Sequence, residues 1–156
     1  MILGRVEPEG VAYNEAVRAL DQQRSELDSL RGRAATIFAS AGIISAFFAS
    51  FVLDPKTGLD LLEWVAVGSF CGVAVSMLAV LWPWRWWRWI PPGKSLITDY
   101  VEGENRVTAA QMQRDLTIHL ADNLDHNQGR LRWLYILLMF GIGCLGLEVV
   151  CWVLAV

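Results

Sequence analysis

The chain has 156 residues, of which 54% are hydrophobic, and its formal net charge at pH 7 is −3. This length has room for one domain, so we expect a single membrane domain over residues 1–156. The acidic balance, with no basic stripe away from the apolar segments, argues against a nucleic-acid partner. The cysteines lie within apolar segments without ligand spacing, so neither a disulfide framework nor a zinc site is expected.

The first predicted element is an amphipathic helix over about residues 11–33, preceded by a polar tail over residues 1–10. Leu20 and Leu27 share one face of this helix with other apolar residues, and charged residues occupy the rest of its surface. The helix leads directly into an apolar segment. Gly32 lies at that junction, and because a helical glycine costs about 1 kcal/mol relative to alanine, it is a candidate hinge.

Three apolar segments are predicted to cross a membrane, over about residues 34–53, 64–82 and 133–156. Each approaches the roughly 20 residues that cross a hydrocarbon core of about 30 Å. A turn over residues 54–58 joins the first two segments as an antiparallel hairpin.

The distribution of positive charge predicts the orientation of these spans. Of the 13 Lys and Arg residues, all except Lys56 lie on one side of the three spans. Positive residues favour the cytoplasmic side. We therefore expect a multi-pass protein of a bacterial inner (plasma) membrane, with a cytoplasmic N-terminus and an external C-terminus.

Small residues recur at spacings of three and four along the first two spans. In lipid, such residues allow helix backbones to approach closely. The predicted packing positions are Ala35, Ala39, Gly42, Ala46 and Ser50 in the first span, and Gly68, Gly72 and Ser76 in the second. They could pack within the hairpin of one chain or between copies. Three spans cannot cover both faces alone, so we expect some homo-oligomerisation.

A tryptophan-rich segment follows the second span, since five of the eight residues from Trp82 to Trp89 are Trp. Indole rings prefer the lipid headgroup region, and guanidinium groups pair with lipid phosphates. The bilayer is therefore the expected partner of this interfacial anchor. Its residues are Trp82, Trp84, Arg85, Trp86, Trp87, Arg88 and Trp89.

A second amphipathic helix is predicted over about residues 108–128, opened by a capping box from Thr108 to Gln111. Gly129 follows it as a second candidate hinge. His119 and His126 share one side of this helix, which we interpret as a solvated polar face because one helix face rarely completes a metal site. No metal or cofactor is expected.

Glu148 is the only formally charged residue within a predicted span, about 22 Å along the helix from Trp133. Burying a carboxylate in a membrane costs a few kcal/mol on insertion scales. Two interpretations stay open. Glu148 could extend outward to the nearby interface, or it could line a pore or stabilise an assembly.

No sequence motif of nucleotide binding, metallohydrolysis or nucleophilic catalysis is present, so we do not expect an enzyme. The function predicted from the residues is that of a self-associating membrane protein. The alternative is a membrane-anchored scaffold whose cytoplasmic helices bind a partner.

The order of features resembles a known group. The segment from Leu27 to Ala35, the Trp-Pro pair after the second span, residues 96–101 and the Asn-containing second amphipathic helix are similar to small actinobacterial membrane proteins of unknown function. More remotely, the layout resembles the membrane domain of antiphage effectors from pyrimidine cyclase (Pycsar) systems and of SLATT-type effectors.

That resemblance implies an all-α domain that disrupts the inner membrane, or forms a pore in it, once a nucleotide signal arrives. Two departures matter. Residues 31–34 read Arg-Gly-Arg-Ala where the effectors show Asp-x-Lys-Ala. No nucleotide-binding domain is fused to the chain, so a sensor would be a separate cytoplasmic protein.

The predicted fold is therefore an all-α membrane protein with three transmembrane helices and two cytoplasmic amphipathic helices that are continuous or nearly continuous with the first and third spans. Its predicted function is that of a non-enzymatic effector in bacterial defence.

Overall fold

The computed structural model describes residues 8–52, 60–84, 87 and 108–155, and all regular structure in these ranges is helical. The described residues form three helices, α1 (Pro8–Val52), α2 (Leu61–Leu81) and α3 (Ala109–Ala155). All three are long and apolar enough to cross a membrane. The predicted all-α fold with three such helices is confirmed.

The two amphipathic segments are not additional helices, and that part of the prediction is wrong, whereas their predicted continuity with the first and third spans is confirmed. Residues 11–33 belong to α1 and residues 109–128 belong to α3, without interruption at Gly32 or Gly129. The cost of a helical glycine, about 1 kcal/mol, is too small to end a helix that packs along its length. Helix α1 also begins earlier than predicted, at Pro8, since proline suits the first helical turn.

A seven-residue repeat of buried positions explains this continuity. Such a repeat keeps one seam of a helix against its partner, as in coiled coils. On α1 the buried positions are Leu20, Leu27, Ala34 and Ala41. On α3 they are Leu120, Asn127, Leu134, Gly141 and Glu148.

The chain divides into two compact units. The first contains residues 1–26 and 85–130. Here the side-chain amide of Gln23 donates a hydrogen bond to the carbonyl oxygen of Leu124 at 3.0 Å, and Leu20 and Leu120 are buried. The N-terminal segments of α1 and α3 therefore pack side by side.

The second unit contains residues 27–84 and 131–156 and includes parts of all three helices. Gly72 of α2 lies against Cys144 of α3, whereas Ser76, further along α2, lies against Gly141. Residue numbers rise on α2 as they fall on α3, so these helices are antiparallel.

The outer surface of the second unit is apolar. Ile43 of α1 is 71% exposed, Val75 of α2 is 70% exposed and Met139 of α3 is 65% exposed. Such contiguous apolar surface is unfavourable in water but suits the hydrocarbon core of a bilayer. The chain is therefore a membrane protein with three membrane-crossing helices.

Side chains cap two of the helices. The backbone N–H of Asp60 donates to Glu63 at 2.9 Å, and α2 begins with Leu61, three residues before the predicted span. The capping box before α3 is confirmed, because the Gln111 N–H donates to the Thr108 hydroxyl at 3.3 Å and the Thr108 N–H donates to Gln111 at 3.0 Å. The predicted turn over residues 54–58 lies outside the described residues.

Replacing Gly141 by Leu should lower the free energy of unfolding by about 1–3 kcal/mol, because the added atoms overpack the contact between α2 and α3. A Cβ on Gly141 would lie 2.0 Å from Met77 Cε and 2.7 Å from Ser76 Oγ. Gly143→Leu is the matched control, since a Cβ there meets nothing within 4 Å. Unfolding in SDS, monitored by circular dichroism, measures the free energy of unfolding of both variants. Equal stability of the two variants would contradict this packing.

Candidate functional site

The carboxyl group of Glu148 lies in the interior of the helix bundle. Its side chain is completely buried, and the Ser45 hydroxyl of α1 donates a hydrogen bond to its Oε1 at 2.5 Å. The other oxygen, Oε2, is buried and accepts no hydrogen bond from the described residues. The interpretation in which Glu148 extends outward to the interface is therefore wrong. Instead, this side chain joins α3 to α1.

An apolar and aromatic cluster packs beside Glu148 on the same helix face. Trp152, one turn further along α3, is 1% exposed and stacks on Phe48 of α1 with ring centroids 6.4 Å apart. Ala66 of α2 and Cys151 belong to the same cluster. Because all three helices meet here, the Glu148 carboxyl faces protein and does not border a lumen within one chain.

The small residues of α2 pack mainly against α3. A Cβ on Gly72 would lie 3.0 Å from Cys144 Sγ, and the buried Ser76 donates its hydroxyl hydrogen bond to the Gly72 carbonyl at 2.8 Å. Gly68 is exposed, and a Cβ there would meet nothing within 4 Å. Thus Gly72 and Ser76 are intramolecular packing positions.

The small residues of α1 are not covered by the other described parts of the chain. We call Ala35, Ala39, Gly42, Ala46 and Ser50 the α1 small-residue face. All are exposed except Gly42, which is half-buried and whose Cβ would meet nothing within 4 Å. At about 100° per residue these positions span an arc of about 80°, centred about 120° from the buried side of α1. The interpretation in which this face packs within the hairpin is therefore wrong.

The interfacial anchor is described only in part. Trp82 and Trp84 are exposed, and the Trp84 indole N–H donates to the Ala79 carbonyl oxygen at 2.9 Å. That carbonyl belongs to the last turn of α2, whose acceptors have no helical partner, so Trp84 also caps the helix. Trp87 is half-buried. Arg85, Trp86, Arg88 and Trp89 lie outside the described residues.

Sequence reasoning identified Glu148 but missed two buried positions of α3. Asn127 is completely buried in the first unit, and Gly141 contacts α2 in the second. The seven-residue spacing that links both to Glu148 is visible in the sequence and could have revealed them. Among the described residues, no group of His, Cys, Asp or Glu could hold a metal ion.

No family, curated protein or solved structure matches the chain.

A double-mutant cycle tests the contact between α1 and α3. Ser45→Ala and Glu148→Leu each remove one partner of the hydrogen bond. Their combined effect on unfolding should be smaller than the sum of the single effects by about 0.6 kcal/mol, and by at most about 1.7 kcal/mol, as measured for hydrogen bonds between membrane helices. SDS unfolding of the wild type, the two single variants and the double variant gives the coupling free energy. Strict additivity would contradict a direct interaction.

Proposed function

We propose that this chain is a non-enzymatic protein of the bacterial plasma membrane that self-associates and then perturbs or permeabilises that membrane, as a defence effector does. The observation that carries the proposal is the uncovered α1 small-residue face. Membrane-perturbing activity is the part that rests on the resemblance to Pycsar and SLATT-type effector domains. A separate cytoplasmic sensor would supply the trigger.

Self-association follows from the chemistry of helix contacts in lipid. Apolar side chains gain no hydrophobic free energy by leaving lipid for another helix, so close backbone approach and polar contacts drive association. The α1 small-residue face permits that approach along more than 20 Å of helix, at about 1.5 Å per residue. Large side chains occupy the adjoining exposed surface of α1, at Ile43, Phe47 and Phe51. The small-residue face is therefore the favoured contact surface.

The proposed orientation has the N-terminus in the cytoplasm and the C-terminus outside. It rests on the charge asymmetry of the sequence, while exposed aromatic residues mark the span ends without fixing their direction. Trp82 and Trp133, which adjoin the arginine-rich flanks, are 61% and 64% exposed, as expected for an interfacial belt.

The alternative is a membrane-anchored scaffold. It is favoured by one observation, namely that the described residues of 1–26 and 85–130 belong to a compact unit of their own. Val11 and Ile118 of this unit are 46% and 54% exposed. A partner protein would cover such residues, and no membrane activity would follow.

The effector proposal predicts that overproduction of the wild-type chain depolarises bacterial cells and that Gly42→Leu abolishes this effect. The leucine side chain should keep two α1 helices apart, so the variant should also migrate as a smaller species on native gels. Gly143→Leu adds the same bulk to α3, where a Cβ meets nothing within 4 Å, and should behave as wild type. A potential-sensitive dye measures depolarisation.

Two results would count against the effector proposal. If the wild type leaves the membrane potential unchanged in the presence of its genomic neighbours, the scaffold alternative stands. If Gly42→Leu and Gly143→Leu act alike, the α1 small-residue face is not the contact surface.

The orientation is tested by cysteine labelling in intact cells, with Cys71, Cys144 and Cys151 first replaced by Ala. A cysteine at position 57 should react with a membrane-impermeant maleimide from outside. A cysteine at position 115 should react only after lysis, because it lies on the arginine-rich side of the spans. Labelling at 115 in intact cells would reverse the proposed topology.

A further inference from the structure

A groove of about 460 Å³ lies between α1 and α3 within the second unit. This volume falls in the range of about 300–1,000 Å³ that is typical of small-molecule sites. Along α1 the groove runs from Ser29 to Ile37, a distance of about 12 Å at 1.5 Å per residue.

The two ends of the groove differ in chemistry. Ser29 and Arg33 line one end, and both precede the first predicted span, which starts at residue 34. Ile37, Met139 and Ile142 line the other end, at positions within the predicted spans. The groove therefore changes from polar and positive to apolar in the direction that leads from the membrane surface into the hydrocarbon core.

The positive end has hydrogen-bond donors available to a ligand. Arg33 is exposed, and its guanidinium forms no ion pair or hydrogen bond with any residue in the described part of the chain. Tyr135 lines the groove from α3 and is 39% exposed. A guanidinium can bind two phosphate oxygens at once, and a tyrosine hydroxyl can donate a further hydrogen bond.

We propose that this groove binds one anionic phospholipid of the surrounding membrane. Its phosphate is held by Arg33 with Tyr135, and one acyl chain lies along Ile37, Met139 and Ile142. Charge complementarity and the polar-to-apolar order of the lining select this occupant. Another groove, between α2 and α3, is lined by Cys71, Phe140 and other uncharged residues, so it offers nothing to select an anionic headgroup.

Native mass spectrometry of the protein in mild detergent, titrated with phosphatidylglycerol or phosphatidylcholine, tests this site. The wild type should retain one phosphatidylglycerol with clear preference over phosphatidylcholine. Arg33→Gln should weaken phosphatidylglycerol binding about tenfold, as expected for the loss of a charge-assisted hydrogen bond. Arg132→Gln is the matched control. Arg132 is also exposed and also immediately precedes a predicted span, but it does not line the groove, so this variant should bind as wild type.

A second variant tests the groove independently of charge. A Cβ on Gly32, which lines the groove, meets nothing within 4 Å, so Gly32→Leu adds bulk to the groove and should reduce retention of the lipid. Equal effects of Arg33→Gln and Arg132→Gln, or equal retention of the two lipids, would overturn the proposal. So would a Gly32→Leu variant that still retains the lipid but loses its oligomers, because a second copy of the chain would then occupy the groove.

Discussion

The bundle depends on one constraint, which is that helices in lipid gain no hydrophobic free energy by packing together. Contacts between them must come from close approach of backbones or from polar groups that lack an alternative partner. Both kinds occur in the second unit. Gly72 and Gly141 bring α2 close to α3, and the hydrogen bond from Ser45 to Glu148 joins α1 to α3. The large apolar side chains of the bundle are divided between two roles. Trp152 fills the interior beside Glu148, whereas Ile43, Phe47 and Phe51 of α1 are exposed on the outer surface.

The same constraint explains what the sequence could reveal. Apolar length alone predicted three membrane-crossing helices, because a helix of about 20 apolar residues at 1.5 Å per residue matches the thickness of the hydrocarbon core. The amphipathic patterns before the first and third spans also predicted helices that run on into those spans, as α1 and α3 do, but a single helix does not display the partners that bury Leu20 and Leu120. The glycines at positions 32 and 129 are the candidate hinges, and both helices run through them because packing on both sides outweighs their small cost. Whether they act as hinges remains a prediction.

The small residues show a second limit of sequence reasoning. Their spacing marks surfaces where helices can approach, but it does not say which helix approaches. Gly72 and Ser76 contact α3, whereas the α1 small-residue face is left uncovered by the described residues. Gly141 and Gly143 are two residues apart and lie on different faces of α3, so this pair does not show the spacing of three or four that marks a small-residue face. The charge of Glu148 identifies it in the sequence. Its hydrogen-bond donor, Ser45, cannot be identified in the same way because the spans contain several serines. On α1, the proposed contact surface and the proposed lipid groove occupy neighbouring arcs of one helix, so self-association and lipid binding can act on the chain together.

Scanning cysteine substitution along α1 tests most directly whether copies of the chain contact one another through the α1 small-residue face. In a variant with Cys71, Cys144 and Cys151 replaced by Ala, a single cysteine would be placed at each position from 35 to 51, and disulfide-linked dimers would be measured in native membranes. The account predicts maxima at positions 35, 39, 42, 46 and 50, with minima at 43, 47 and 51. Maxima at 43, 47 and 51, or a profile without helical periodicity, would contradict it.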